Sequence, residues 1–286
     1  MEIAILSAVS WPKKEREAGG REVARPTGPD KRQYRAEAPA DQYRAPALDK
    51  GLDILELLSN APAGLTRAEM VRELGRSQSE IYRMLERLVA RHYVLRSLEG
   101  DRYSLSYKLF AQGARHPPLK RLLAPALPLM NRFSERARQS CHLGVYDRGD
   151  LTIVAQVDSP DNWGLTIRLG AHIDLLKTGS GRVMLAFQDE AARAAMLREH
   201  TGHVGETVTP PTFASTLSEI RARGYWQGES LQARGVVDIS APVLGPEGAL
   251  AVLTCPFVQR QDTELAPSLH DVMKSLRGVA LGLSVS

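Results

Sequence analysis

The chain has little of what marks several protein classes. Two cysteines in 286 residues, Cys141 and Cys255, are too few for a disulfide framework or a cysteine-rich zinc site. Both read as small core residues, and their scarcity suits a reducing, cytoplasmic setting. No apolar run approaches the ~18 residues of a membrane span, and Glu2 stands where a signal peptide would carry positive charge. Charge of one sign is scarce too: 37 Lys and Arg face 33 Asp and Glu, a net +4. Residues 1–46 contribute +2, residues 47–108 +1 and the remainder +1, so the usual basic footprint of a nucleic-acid binder is weak and any DNA contact must rest on local geometry.

Catalytic signatures are missing as well. Thr178-Gly179-Ser180-Gly181 is followed by no Gly-Lys-Ser/Thr and lacks the five-residue Gly-x-Ser-x-Gly spacing, so it is neither a P-loop nor a nucleophile elbow. No serine, histidine and acid stand in a triad motif, and no dinucleotide fingerprint follows a strand. His200 and His203 lie near Glu199 and Glu206, but Gly202 and loop-like flanks deny them a rigid ligand face. The expectation is no enzyme, no cofactor and no metal.

What is present is ordinary globular material, 43% hydrophobic and 24% charged, in a length that suits two domains. Residues 11–46 are rich in Pro, Gly, Arg, Glu and Ala without periodicity, which predicts a disordered tail over 1–46. Two accounts fit it: an extension from an upstream start codon, or a basic arm whose Arg25, Lys31, Arg32, Arg35 and Arg44 lie along phosphates.

Residues 66–105 organise the rest. Thr66 with Glu69, and Ser77 with Glu80, form two capping boxes in quick succession, and Gly75 lies between them where one helix ends and the chain turns into the next. At 100° per residue the second helix puts Ile81, Met84, Leu85 and Leu88 on a packing stripe and Ser79, Arg83, Glu86 and Ala90 on the outward one. Strands follow over 93–98 and 102–105 around the turn Glu99-Gly100-Asp101, and a leading helix over 48–59 is expected to bury Leu48, Leu52, Leu55 and Leu58. An arginine-bearing outer face is also what a merely solvated helix presents. The order of elements is that of a winged helix-turn-helix, and it raises DNA binding to parity with that plainer reading. Between Arg76 and Arg102 there are six arginines, no lysine and four acids.

After a short helical connection over 107–113, broken at His116-Pro117-Pro118, a helix over 119–140 enters a second domain despite Pro125 and Pro128. Strands are predicted over 141–147, 151–157, 164–169, 225–230, 236–244 and 249–257. Helices are predicted over 181–187, 190–200, 213–223 and 264–281. Strands first and last with helices between, joined by hairpins, argue an α+β domain around a mostly antiparallel sheet. Within it, Thr178-Gly179-Ser180-Gly181 opens a helix and offers free N–H groups to an anion, though the residues alone favour a simple helix cap with small residues for close packing.

These segments resemble the IclR family of bacterial transcription regulators. The likeness runs through residues 47–56, Leu65-Thr66, Leu74-Gly75, residues 79–83 and Tyr93-Val94. It continues in residues 177–186, Ile220-Arg221 with Gly224-Tyr225, and Gly235-Val236 leading to Ala241-Pro242-Val243, so it spans about residues 47–283. The resemblance implies a multidomain α/β protein: a winged helix-turn-helix over 47–108, a linker over 109–118, and a GAF-like α+β effector-binding and oligomerisation domain over 119–286. It implies a cytoplasmic homodimer or homotetramer that binds a double-stranded DNA operator and a small-molecule effector, an organic acid. The candidate DNA contacts are Thr66, Ser77, Gln78, Ser79, Tyr82, Arg83, Arg87 and Arg102.

Matching the family's pattern places Gly179, Ser180, Val236, Asp238 and Thr254 at the effector pocket, with Asp238 where many members have cysteine. A buried carboxylate needs a partner, for which Arg168 and Arg182 are candidates. Trp163 is either an aromatic wall of that pocket or a core residue. Two other readings remain open at this point: a DNA-binding oligomer without a ligand, and a metabolite-processing enzyme with an appended helical domain.

The tail generates a test of its own. Removing residues 1–44 is expected to leave the melting temperature within error, because no core position is lost. If the tail is a basic arm, the truncated protein will show a shallower slope of log affinity for DNA against log salt; an equal slope excludes the arm.

Overall fold

The computed structural model describes residues 45–98, 100–162, 164–204, 211–259 and 266–285. Residues 1–44 of the tail expected over 1–46, Glu99 of the wing turn, Trp163 and Glu206 lie outside the described residues. Pro46 opens α1 (Pro46–Ser59), where its fixed φ suits the first helical turn. Ile54 and Leu58 are buried and Leu55 packs beside them, but Leu48 and Leu52, expected inside, are 61% and 47% exposed. Only the later turns of α1 lie over the core; the stripe read from the sequence began about two turns too early, at Leu48, since Leu55 is its first member to pack.

Strand β1 (Leu65–Thr66) runs straight into α2 (Arg67–Leu74). The Thr66 hydroxyl accepts the Glu69 N–H at 3.2 Å while the Glu69 carboxylate accepts the Thr66 N–H at 2.8 Å, the reciprocal box that the sequence indicates. Gly75, at φ 62°, ends α2 in the left-handed conformation and frees the chain to start α3 (Gln78–Ala90). There the Glu80 carboxylate accepts both the Ser77 N–H, at 3.1 Å, and its hydroxyl, at 2.6 Å. Strands β2 (Val94–Arg96) and β3 (Arg102–Leu105) form the wing, and β1 joins the far side of β3 to give the order β1-β3-β2. A two-residue strand leaves no alternation to read, so β1 is invisible in the sequence. The core of this part is Ile54, Leu58, Met70, Ile81, Leu85, Val94 and Tyr103, with Met84 and Leu88 packed against it as expected. Two ion pairs hold α1 across the start of α3: Lys50 to Glu80 at 2.5 Å, and Arg76 to Asp53.

Helix α4 (Lys108–Ala114) precedes α5 (Pro117–Ala137), so the proline pair expected to break the chain begins a long helix, with Pro117 in its first turn. Pro125 and Pro128 sit inside α5. The residues four positions before them, Arg121 and Ala124, are exposed, so the carbonyls left without an N–H are on the side that water reaches.

Then come β4 (Cys141–Asp147), β5 (Asp150–Val157), β6 (His172–Asp174), α6 (Gly179–Ala186), α7 (Glu190–Val204), α8 (Phe213–Arg223), β7 (Trp226–Glu229), β8 (Val236–Gly245), β9 (Gly248–Val258) and α9 (Leu269–Leu283). The strands form one antiparallel sheet in the order β6-β5-β4-β9-β8-β7. The strand expected over 164–169 does not form. Instead a turn with Gly170 at φ 75° bonds to Ile153, whose carbonyl accepts the Gly170 N–H at 2.8 Å and whose N–H reaches the Ala171 carbonyl at 3.0 Å. The edge strand therefore begins at His172, three residues after the predicted run ends.

Alternation along the central strands assigns two faces. Cys141, Leu143, Ile239, Ala241, Leu253 and Cys255 pack with Met130, Phe133, Val272 and Leu276 of α5 and α9. On the other face Val252 and Ile153 meet Val183, Met184 and Leu185 of α6 together with Leu217 and Ile220 of α8. Both cysteines are fully buried and burial pushes their thiols up, Cys141 to about 12, so they are protonated packing groups.

Glu80 carries the pH test. Hydrogen bonds from Lys50 and then from Ser77 hold its carboxyl at about 2, against an ordinary 4.5. Its contribution to stability is present above pH 4.5 and is lost as pH falls toward 2. Glu80→Gln in the full chain is expected to lower stability at neutral pH and to flatten the acid loss in that window. Thermal melts of parent and variant at pH 5 and pH 3 read this out; parallel losses in both proteins would show that the carboxylate is not held.

Candidate nucleic-acid interface and ligand cavity

The outward face of α3 presents Gln78, Ser79, Tyr82, Arg83 and Arg87, all exposed. Arg83 and Arg87 are one turn apart and stack along the same side. Among the described residues neither forms an ion pair, so both guanidinium groups are available to phosphates or base edges. Arg67, which the sequence reading passed over, places its guanidinium 5.5 Å from the centre of the Tyr82 ring and steadies that exposed side chain.

Three other residues expected at the interface are committed to the fold. The Thr66 and Ser77 hydroxyls serve the caps. Arg102 donates to the Gly64 carbonyl at 2.8 Å and lies 3.6 Å from Glu69. The sequence marked these three as polar and near the helix starts, and that proximity arises because they build the starts.

In the second domain a cavity of about 380 Å³ lies on the α6 face of the sheet. Ser180, Asp238 and Thr254 line it, as do His142, Arg168 and Thr178. Thr178 caps α6: its hydroxyl accepts the Gly181 N–H at 3.1 Å and donates to the Asp174 carbonyl at 2.8 Å. Ser180 Oγ is 3.2 Å from that hydroxyl.

Gly179 and Val236 are not on the cavity wall. A Cβ on Gly179 would stand 2.2 Å from Cδ1 of Trp226, so this glycine exists to let the indole close on the helix start. Val236 lines a separate recess with Gln139 and Phe257, because it lies at the beginning of β8, one pleat before Asp238. Arg182 is not the partner of Asp238 either: its Nε donates to the Leu176 carbonyl at 3.2 Å and its guanidinium lies 5.2 Å over the Trp226 ring.

The wall has a definite electrostatic character. Burial raises the Asp238 carboxyl above its ordinary range, and the Ser230 hydroxyl only partly offsets this. Among the described residues Asp238 has no ion pair. Thr254 donates to Ser240 Oγ at 2.9 Å. Directly across the ladder from Thr254 is His142, 3% exposed, held at about 4 by burial and therefore neutral at working pH.

His142 was absent from the sequence reading. Its signal was there, since Cys141 and Leu143 face the core and the residue between them must face the other way, but alternation does not say that a cavity waits on that side. His200 is fully buried, with Nδ1 2.8 Å from the Gly149 carbonyl, and ties α7 to the β4–β5 turn. Among the described residues no group of His, Cys, Asp and Glu is placed to hold a metal ion, and no helix is long and apolar enough to cross a membrane.

A winged helix-turn-helix with exposed arginines on its second helix, in one chain with an α+β domain that carries an open cavity on one sheet face, defines the class of two-domain DNA-binding regulators. Residues 47–97 match the IclR helix-turn-helix domain and residues 120–284 the C-terminal domain of bacterial transcriptional regulator IclR. The chain belongs to the IclR family of bacterial transcription regulators, and its second domain has the GAF-like effector-domain architecture of that family.

It is similar to the HTH-type transcriptional regulator KdgR of Escherichia coli, 26% identical over 217 residues that cover 73% of this chain and 82% of the relative. It is also similar to the HTH-type transcriptional regulator BhcR of Paracoccus denitrificans, 25% identical over 244 residues, 83% and 87% of the two chains. The crystal structure of an IclR homolog complexed with 4-hydroxybenzoate, from Microbacterium hydrocarbonoxydans, shares the fold with a TM-score of 0.67 at 18% identity, covering 83% of this chain and 97% of that one.

The geometry of α3 makes Arg83 the residue to remove. Arg83→Ala is expected to weaken operator binding by ~1–3 kcal/mol, with relaxed preference at one position if it reads guanine and a uniform loss across sequences if it touches phosphate. Fluorescence anisotropy on the operator and on scrambled duplexes separates the two; unchanged affinity of the folded variant removes Arg83 from the interface.

Proposed function

We propose that the protein is a cytoplasmic, homodimeric or homotetrameric regulator whose affinity for a double-stranded DNA operator is set by a small organic acid bound in the second domain. The observation that carries this reading is the cavity itself, with Ser180, Asp238 and Thr254 converging on one space at the start of α6. Residues 47–108 act as the DNA-reading unit, 109–118 as the linker, and 119–286 as the effector and oligomerisation unit, with 1–46 outside both. In a dimer, two copies of α3 enter successive major grooves.

The acid's carboxylate belongs at the start of α6. Ser180, in the first turn of that helix, is on the cavity wall, and the positive end of the helix favours an anion by roughly 0.3–2 kcal/mol. Asp238 belongs opposite a hydroxyl or other donor, because two carboxylates brought together beside a partly buried wall repel. The 4-hydroxybenzoate held by the Microbacterium homolog supports an acid of this kind. A ligand so placed changes operator affinity only by binding one of two pre-existing arrangements more tightly than the other. That the relatives are transcription regulators supports a role without catalysis.

Thermal-shift screening of short-chain and aromatic acids tests the reading, since a ligand at ~100 times its dissociation constant adds ~2.7 kcal/mol to the folded state. Ser180→Phe is expected to abolish that shift and leave DNA affinity intact, while Asp238→Asn keeps binding and alters the choice between hydroxylated and unsubstituted acids. If Ser180→Phe binds like the parent by calorimetry, the acid site is elsewhere. If no acid shifts the parent, the second domain serves assembly alone.

A further inference from the structure

We propose that Tyr82 reads the 5-methyl group of a thymine in bound DNA, and that Arg67 is the positioning residue that holds the Tyr82 ring for this contact. The inference rests on the reading of α3 as the helix that enters the major groove. What carries it is a mismatch on the outward face of that helix. Gln78, Ser79, Arg83 and Arg87 present amide, hydroxyl and guanidinium groups there, while Tyr82 presents an aromatic ring that stays 46% exposed. It is the one large apolar surface on that face.

The groove has a single counterpart for such a surface. Base edges in the major groove offer hydrogen-bond donors and acceptors at every pair, and the only apolar feature among them is the thymine methyl. The polar side chains beside the ring suit the donors and acceptors. The ring itself gains most by covering the methyl, which sheds water from both.

A ring exposed to this degree turns between rotamers unless a neighbour holds it. The Arg67 guanidinium, from the first turn of α2, lies 5.5 Å from the ring centre and is that neighbour. Other arginines of this part are paired with carboxylates: Arg72 with Glu73, Arg76 with Asp53 and Arg102 with Glu69. Among the described residues Arg67 forms no ion pair and no side-chain hydrogen bond, so the ring is what its guanidinium holds. A guanidinium stacked by its face keeps its in-plane N–H groups, which remain open to a phosphate when DNA arrives. The ring is thus fixed before binding, and the entropy of ordering it does not count against the complex.

The probe is a duplex enriched by the full-chain protein from a random-sequence library, remade with uracil in place of each thymine in turn. That exchange removes the methyl and leaves every donor and acceptor. By fluorescence anisotropy the parent is expected to bind roughly fourfold more weakly when one particular thymine is replaced, the effect of burying one methyl-sized group. Tyr82→Phe should keep that ratio, and Tyr82→Ala should bring it to about one. Arg67→Ala should reduce it to about twofold or less, whereas loss of a phosphate contact alone weakens thymine and uracil duplexes equally and leaves the ratio unchanged. If the parent has no uracil-sensitive thymine, or if the ratio survives Tyr82→Ala or is lost in Tyr82→Phe, the methyl contact is overturned and DNA reading by α3 stands. An undiminished ratio in Arg67→Ala overturns the role of Arg67. If the library yields no enriched duplex, the DNA reading and this inference fall together.

Discussion

Both faces of the six-stranded sheet must be covered, and they are covered by unequal partners. On one side α5 and α9 are long amphipathic helices that seal the core over the central strands. On the other, α6 has eight residues and begins abruptly at a capped threonine, so it covers part of that face and leaves the rest as a cavity. The first turn of α6, with Thr178 and Ser180, lies on the wall of that space. Gly181 enforces the seat, for a Cβ there would stand 2.2 Å from the Leu175 carbonyl, so the helix start lies against the strap that follows β6. A one-residue slip of β4, β8 or β9 would turn core side chains into the cavity and polar ones into the core, which makes the register expensive to lose.

The DNA-reading part works under a different constraint. Its core is small, and short helices contribute little stability by themselves. Charge at the junctions compensates: Lys50 and Arg76 join α1 to the start of α3 through Glu80 and Asp53, and Glu80 is at once a cap and an ion-pair partner. The residues that orient α3 are therefore spent on orientation, which is why Ser77, Thr66 and Arg102 hold the scaffold while Arg83 and Arg87 project from it.

Legibility in the sequence divided along the same line. Features fixed by local chemistry could be read: both caps, the turn at Gly75, the hairpin at 245–248, the limits of α8 and the burial of both cysteines. Features fixed by tertiary context could not. Leu48 and Leu52 follow the helical period but extend beyond the core they were expected to join, the run 164–169 alternates yet is diverted by the Gly170 turn, and β1 is too short for a pattern. In the candidate site, Ser180, Asp238 and Thr254 were found by family pattern. Gly179 and Val236 share the pattern but not the wall, and His142 lay outside it altogether.

The odd-numbered residues of β4, β8 and β9 around the cavity, such as Leu143, Ile239 and Cys255, hold the sheet to its helices, while the even-numbered His142, Asp238 and Thr254 meet the cavity. Heritable change is thereby partitioned by parity. On the proposed reading, a codon change at an even position would alter what the cavity accepts and leave the framework intact, and one at the adjacent odd position would test the framework instead. A lineage built on such a sheet can explore new signals without first having to re-evolve a stable protein.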